Sequence, residues 1–581
     1  MKKYNYKCKK IKLRSEGYSM NFNVLSNRYK SERNVMYAIS GAVATSNPQA
    51  AQAGLDILRK GGNAVDAAVA TAAALAVTEP TSNGIGGDAY SLVWIESEKK
   101  LYGLNSSGFA PELMTKEAYE GLEKMPRHGF GAVTVPGIPA AWAELNKKFG
   151  KLSLYECLKP AIDYAREGYV VYPNVAKLWE ESFEDYSNDL KMLDNLSKEE
   201  LERKTNKKNG IKSELVDKEL LKDWFNTFTI DGKAPQAGDI FKCEEQAKTL
   251  EEIANTGAES FYRGRIAELI DKHSRKFGGM IRKSDLEKYY PQWVEPISTN
   301  YKGYDICEIP PNGHGITVLI ALNILKELKL DEEKETVDNI HKMIECMKLA
   351  FADSKKYVTD PKKMTVSVEA MLNQEYAKKR SELIGEKALY PEAGEPFCGG
   401  TVYMCTADKD GNMVSHIQSN YMNFGSGVVI PGTGIALHNR GNNFSLDENH
   451  DNIVEPFKKP YHTIIPGFIK QNGEAVGAFG VMGAFMQPQG QFQAVTNLID
   501  FAMNPQEALD APRWQWIDGM KIEVEDDIKT GIAEGLKEKG HDIKVVSNKI
   551  NMGRGQIILK NEKGGYICGT EKRCDGHVAV Y

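Results

Sequence analysis

The chain has 581 residues, 41% of them hydrophobic and 26% charged, with a formal net charge of −5. That balance excludes global disorder and argues against a nucleic-acid binder working through phosphate contacts. At roughly 150 residues per domain the length suggests three or four domains, or two large ones, and the 52 glycines exceed the usual share.

Residues 1–35 hold ten Lys/Arg against two Asp/Glu, but no apolar stretch follows, so they do not read as a secretory signal. Met20 offers an alternative start, which would leave residues 1–19 as an upstream extension. No run of 18 apolar residues occurs, so no membrane span is expected. The nine cysteines are scattered and lack zinc spacing, which points to free thiols in a reducing compartment and a cytoplasmic protein. The ten histidines form no HExxH or comparable ligand pair, so neither a metal nor another cofactor is expected.

Residues 36–46 read as a strand pair, or as a strand with its turn. Pro48 opens a helix through Arg59, ended by Gly61 and Gly62. Asn63 reads as the N-cap of a second helix over 64–77, stopped by Glu79 and Pro80. That helix is apolar nearly all round, so it belongs in a buried layer. Gly84-Ile85-Gly86-Gly87 precedes a strand over 89–96 instead of opening a helix. That is the wrong order for a phosphate cradle, and a tight turn with positive φ is expected.

Residues 140–290 are helical in character. Their polar stretch, 183–222, is dense in Lys and Glu and reads as an exposed helical insertion. A strand over 301–310, a turn over 310–315 and helices through Leu328 and over 336–352 follow. After about residue 395 the texture changes to Gly, Asn, Ser and short β-type runs. Strands are expected over 401–407 and 413–419 around a turn at Asp408 to Gly411. Glycine turns at 425–427 and 432–434 come next. Strands over 462–469 and 475–480 then flank an Asn472-Gly473 turn, and a helix covers 488–503.

Chemistry concentrates in this second part. Cys398-Gly399-Gly400 leads directly into Thr401. Cleavage of the Gly400–Thr401 bond would give Thr401 a free α-amine beside its hydroxyl, a base and a nucleophile in one residue. An α-amine with a pKa of about 7.7–8.0 is partly neutral near pH 7. If Asp408 to Gly411 is the whole turn, Ala407 faces Asn412 and Thr401 faces Gln418, with Ser419 one step further. A one-residue bulge would shift that register. The run Gly480-Val481-Met482-Gly483-Ala484-Phe485 stands between a strand and a helix, where free backbone N–H groups can stabilise an oxyanion. The alternative is a strand-to-helix turn without chemistry.

Several segments together resemble the gamma-glutamyltransferase (glutathione hydrolase) family of N-terminal nucleophile hydrolases. They include AQAGLDILRKGGNAVDAA (51–68), EPTSNGIGGD (79–88), VPGIPAA (135–141), DKDGNMV (408–414), NFGSG (423–427) and NPQEALDAPRW (504–514). The resemblance implies an α+β fold, an αββα sandwich made as one precursor. Beyond the basic extension at 1–35, a large chain (36–400) and a small chain (401–581) would arise by self-cleavage, with further dimerisation left open. Thr401 would be the nucleophile, forming an acyl-enzyme resolved by water or an amine. Ser419 stands where the family has a second Thr, and Gly483 and Ala484 where it has a Gly-Gly oxyanion hole.

The departures bear on substrate. Glutamyl-specific members carry a large-chain Arg for the substrate α-carboxylate, and Ser107 falls nearest that place here. Their acidic partner for the substrate α-amine is matched by Asn443. A small-chain Asn becomes Tyr421, a Gln becomes Arg440 and a Ser-Ser pair becomes His462-Thr463. Losing both counter-charges disfavours a gamma-glutamyl group. Arg440 offers a charged fork for a small carboxylate, or else an ion pair with a nearby acid. His462 is expected as a hydrogen-bonded structural histidine. PYHTIIP (460–466) and VMGAFMQPQ (481–489) resemble the branch containing oxamate amidohydrolase. The expected partner is thus a small-molecule amide bearing a carboxylate. A gamma-glutamyl hydrolase or transferase, and a catalytically degenerate scaffold, stay open as alternatives.

Overall fold

A computed structural model of the chain describes residues 33–197, 217–391 and 401–581. The basic extension, apart from residues 33–35, and the Gly400–Thr401 bond lie outside the described residues. Residues 33–581 form one compact unit, which replaces the three or four domains suggested by length.

Two seven-stranded antiparallel sheets carry the architecture. One runs in the order His577–Val580, Ala42–Thr45, Val402–Ala407, Met413–Ser419, Asp88–Ile95, Lys100–Ser106, Gln292–Val294. The other runs Met36–Ala38, Tyr566–Thr570, Arg554–Lys560, Glu474–Met482, Gly467–Gln471, Tyr304–Glu308, Ile297–Tyr301. Alternation along each strand sorts side chains between layers. Tyr403 and Cys405 meet Phe468, Ala478 and Ile558 between the sheets, while Val402 and Met404 pack under helices on the far side. Helices Ala64–Thr78, Ile138–Phe149 and Leu154–Glu167 cover the first sheet. Helices Gly315–Leu325, Val337–Tyr357 and Met486–Ile499 cover the second. The result is the αββα sandwich that the resemblance implies.

The expected buried helix is Ala64–Thr78, and all fifteen of its residues are buried. A capping box holds its start: Asn63 accepts from Val65 N and Asp66 N, and Asp66 accepts from Asn63 N. The segment just before residue 391 is tied down as well. His341 Nε2 donates to Gly385 O, Leu389 N donates to Glu345 Oε2, and Lys348 Nζ reaches both Leu389 O and Glu345 Oε1.

Four expectations need correction. Met36–Ala38 and Ala42–Thr45 do not pair with each other but enter different sheets, crossing where Ser40 N and Gly41 N donate to Tyr581 O. The glycines at 84, 86 and 87 have no positive φ. They are needed for space instead: a Cβ on Gly86 would lie 2.3 Å from Ala436 O, and one on Gly87 2.5 Å from Ser419 O. The described parts of the polar stretch, in Pro173–Asp194 and Lys218–Phe228, are not simply exposed. Within it Tyr186, Leu193, Leu220 and Leu221 are buried, and Tyr186 packs 4.8 Å from Trp224, just beyond the stretch. The strand expected from residue 462 begins only at Gly467, because glutamine side chains take the Ile465 backbone groups.

Gly86→Ala is expected to cost about 1–3 kcal/mol through overpacking against a backbone oxygen. Gly385→Ala, where a Cβ meets open space, should stay within about 0.5 kcal/mol of wild type. Denaturant midpoints measure both.

Candidate active site

Thr401 is fully buried at the head of Val402–Ala407. The ladder pairs Val402 with Gln418 and Ala407 with Met413, one residue off the expected register. The turn is longer than Asp408 to Gly411 because Asp408 Oδ1 accepts from both Asp410 N and Asn412 N. Continued one step, this register puts Thr401 opposite Ser419, and their hydroxyls are 3.0 Å apart. Ser419 in turn pairs with Asp88 on the next strand. Three side chains on one face therefore form a row across three strands: hydroxyl, hydroxyl, carboxyl. Ser419 Oγ also accepts from Tyr421 N at 2.8 Å.

The second sheet contributes the strand-to-helix turn. Gly483 has φ 134 and Ala484 φ 48, and Met486 N closes the first turn of the helix on Gly483 O. Neither the Gly483 nor the Ala484 N–H donates to a backbone acceptor among the described residues. A left-handed Ala costs roughly 1–2 kcal/mol, strain of the sort that collects at functional turns. Gln487, on the same helix, links this turn to the nucleophile candidate: its Nε2 donates to Thr401 Oγ1 at 3.4 Å and its Oε1 accepts from Ile465 N.

Beside the row lies a buried charged group. Arg440, in the short turn Arg440–Asn443, has no exposed surface. Its Nη1 donates to Thr463 Oγ1 at 2.7 Å and its guanidinium lies 4.4 Å from the Tyr421 ring centre. Nε approaches Asp88 Oδ2 only to 3.7 Å, beyond hydrogen-bond range. Nε and Nη2 are buried with no hydrogen-bond partner among the described residues. Asp88 is otherwise engaged: His462 Nε2 donates to Oδ2 at 3.0 Å, His438 Nδ1 lies 3.2 Å from the same oxygen, and Gly108 N donates to Oδ1. Burial opposes a charge on Asp88, yet His438 and His462 hold its carboxyl well below the usual range.

The other expected binding residues divide. Thr463 and Tyr421 frame Arg440. His462 has the expected structural role, donating to Asp88 and accepting from Ile464 N on Nδ1. Asn443 spends its amide on Tyr461 O at 3.0 Å. Sequence reasoning gave no role to Asp88, His438, Gln487 or Lys459. Asp88 closes a matched motif, EPTSNGIGGD, which was the available signal. Lys459 is a buried cation whose Nζ donates to Asn105 Oδ1 and Gln292 Oε1, and burial pushes it down to about 8. Asn105 Oδ1 also accepts from Ser107 N, so Lys459 stands behind the serine found near the family's arginine position.

Known proteins resemble this chain along nearly its whole length. The family model described as Gamma-glutamyltranspeptidase matches residues 50–581. The Glutathione hydrolase-like YwrD proenzyme of Bacillus subtilis (strain 168) is 35% identical, over 91% of this chain and 96% of its own length. The Oxamate amidohydrolase proenzyme of Klebsiella pneumoniae subsp. pneumoniae is 31% identical, over 93% and 98%. Among solved structures, the cephalosporin acylase from Bacillus halodurans superposes with a TM-score of 0.89. It is 52% identical and covers 97% of this chain and 99% of its own.

His462 yields a test of the buried charge pattern. Burial, then the Arg440 charge, brings its pKa from 6.5 down to about 3. A folded-state value below the unfolded one means stability that is complete above the unfolded pKa. It is lost as pH falls toward the folded value. Denaturant midpoints between about pH 7 and about pH 4 should decline less steeply in His462→Gln than in wild type. An unchanged slope would remove the neutral His462 assigned here.

Proposed function

This chain belongs to the gamma-glutamyltranspeptidase family, and we propose that it cleaves itself at Gly400/Thr401 and then hydrolyses monoamides of small dicarboxylic acids. The chain is an amidohydrolase or acyltransferase of the N-terminal nucleophile type. The proposal concerns which bond it cuts in itself and which acyl group it accepts. The proenzyme names of its relatives support a precursor that matures into two chains.

In the mature enzyme the Thr401 hydroxyl attacks the substrate carbonyl, and its α-amine takes the proton. Ser419 Oγ, 3.0 Å away, orients that hydroxyl and Gln487 steadies it. The Gly483 and Ala484 N–H groups receive the negative charge that develops on the carbonyl oxygen. The amine then leaves with a proton returned from the Thr401 amine, and water attacks the resulting ester to free the acid.

One observation carries the choice of acyl group. Arg440 has two buried N–H-bearing nitrogens, Nε and Nη2, without a hydrogen-bond partner among the described residues. Leaving buried charged donors unsatisfied is costly, and a carboxylate accepts from both in one planar pair. Among the described residues around Arg440, no comparable group serves an ammonium. Asn443 is neutral and bonded to Tyr461 O, and Asp88 is taken by His462 on one oxygen and Gly108 N on the other. This favours an acyl part with a carboxylate and no α-amine, which oxamate satisfies at its shortest and longer dicarboxylic monoamides at greater reach. The seven described cysteines are free and buried, which supports a reducing, cytoplasmic setting.

On a denaturing gel the purified protein should give two bands divided at 400/401, and Thr401→Ala one uncut band. Amine release should favour oxamate, succinamate or glutaramate over a gamma-glutamyl anilide. Robust gamma-glutamyl transfer to a dipeptide would overturn the acyl assignment. Arg440→Met should raise KM roughly a hundredfold, the worth of about 2–3 kcal/mol for a charge-assisted pair, while self-cleavage continues.

A further inference from the structure

A second cluster of unsatisfied polar atoms lies under the helices that cover the second sheet. Glu308 ends the strand Tyr304–Glu308 and is fully buried, and neither carboxyl oxygen has a hydrogen-bond partner among the described residues. Gln491 Oε1, on the helix Met486–Ile499, is buried and unpartnered too. Two glycines make room for this pair. A Cβ on Gly315 would lie 2.7 Å from Glu308 Oε2, and a Cβ on Gly467 2.8 Å from Gln491 Oε1. The strands bring the two together. Phe468 pairs with Cys307, so the next step of the same register sets Gly467 opposite Glu308 on one face.

All the unpartnered atoms here are oxygens that accept. Two buried acceptors bond each other only when one of them carries a proton, and between a primary amide oxygen and a carboxyl, the carboxyl is the one that takes it. We infer that Glu308 is a neutral carboxylic acid whose O–H donates to Gln491 Oε1, making it a positioning residue for the substrate-binding segment. Burial with no opposing charge, which pushes the Glu308 carboxyl far above the usual range, agrees.

The consequence runs through Gln491 to the site. With its oxygen held by Glu308, the Gln491 amide must present Nε2 to Ile465 O, which it does at 2.8 Å. Gln487 Oε1 holds Ile465 N from the same helix face. The backbone of Ile465 is thus gripped on both sides. Two residues earlier stands Thr463, whose hydroxyl orients Arg440. Without the acid proton, Gln491 is free to turn over and Ile465 O loses its donor.

Two measurements test the assignment. In the infrared difference spectrum of wild type minus Glu308→Gln near pH 7, a protonated carboxyl C=O stretch should appear; a carboxylate band in its place overturns the inference. This arm is independent of the acyl-group reading, whereas the kinetic arm rests on it. With a carboxylate-bearing amide, Glu308→Leu should raise KM about tenfold with kcat nearly unchanged, and Glu308→Gln, still a donor, should stay within about twofold. A Glu308→Gln variant as impaired as Glu308→Leu, while both self-cleave on a gel, overturns it. If Glu308→Leu does not fold, the infrared band and the near-wild-type KM of Glu308→Gln still decide. Wild type that turns over no carboxylate amide sinks the acyl reading and leaves the infrared arm standing.

Discussion

The geometry of the candidate site depends on one side chain at the far end of a hairpin. Asp408 accepts from Asp410 N and Asn412 N on one oxygen, and from Asn412 Nδ2 and Ala64 N on the other. The first three bonds set the turn length, and turn length sets register. The fourth ties the turn to the start of the fully buried helix Ala64–Thr78. Seven residues before Asp408, that register brings Thr401 level with Ser419 and Ser419 level with Asp88. A slip of one residue would turn every side chain of the strand to the other face. The nucleophile candidate would then point into the helix layer.

The same row explains why so much charge is tolerated without solvent. Asp88 and Arg440 have no exposed surface, and breaking such a pair from one side is costly. Their contact of 3.7 Å is too long to satisfy either partner. Asp88 is satisfied elsewhere, by the His462 imidazole and the Gly108 N–H, while among the described residues Arg440 is satisfied only at Nη1. A fold selected for stability alone has little reason to keep that asymmetry. A site that receives a carboxylate does, because the ligand then completes a hydrogen-bond set that the protein leaves open.

Much of this was legible in the residues. The helices opened by Pro48 and capped by Asn63, the 402–407 and 413–419 hairpin, and the glycine turns at 425, 427, 432 and 434 follow from local rules of capping and positive φ. The pair Thr401 and Ser419 was found with its register one residue off, since side-chain capping by Asp408 lengthens the turn in a way that residue counting misses. Long-range choices were not legible. Nothing local sends Met36–Ala38 and Ala42–Thr45 into different sheets, and the sheet Trp514–Asp518, Lys521–Glu525, Asp542–Val546 carries no chemistry to mark it. The glycines at 84, 86 and 87 serve close packing and not positive φ, and the two demands select the same residue. Asp88, His438 and Lys459 lie far apart in sequence, and only folding reveals them as neighbours of the site.

The substitutions around Arg440 make physical sense only as a set. A gamma-glutamyl group carries an ammonium and a carboxylate on one carbon, so a site for it needs both signs close together. Here the acidic position is Asn443, turned away to a backbone carbonyl, and the cation Arg440 stands in the same short turn, stacked on Tyr421. An ammonium brought here would lose its water and find Arg440 nearby, with the Asp88 oxygens already occupied. Its desolvation would go uncompensated, and the like charge would add to the cost. A carboxylate alone meets the opposite balance. On the proposed acyl assignment, discrimination would follow less from a better grip on the acid than from the penalty placed on the amine.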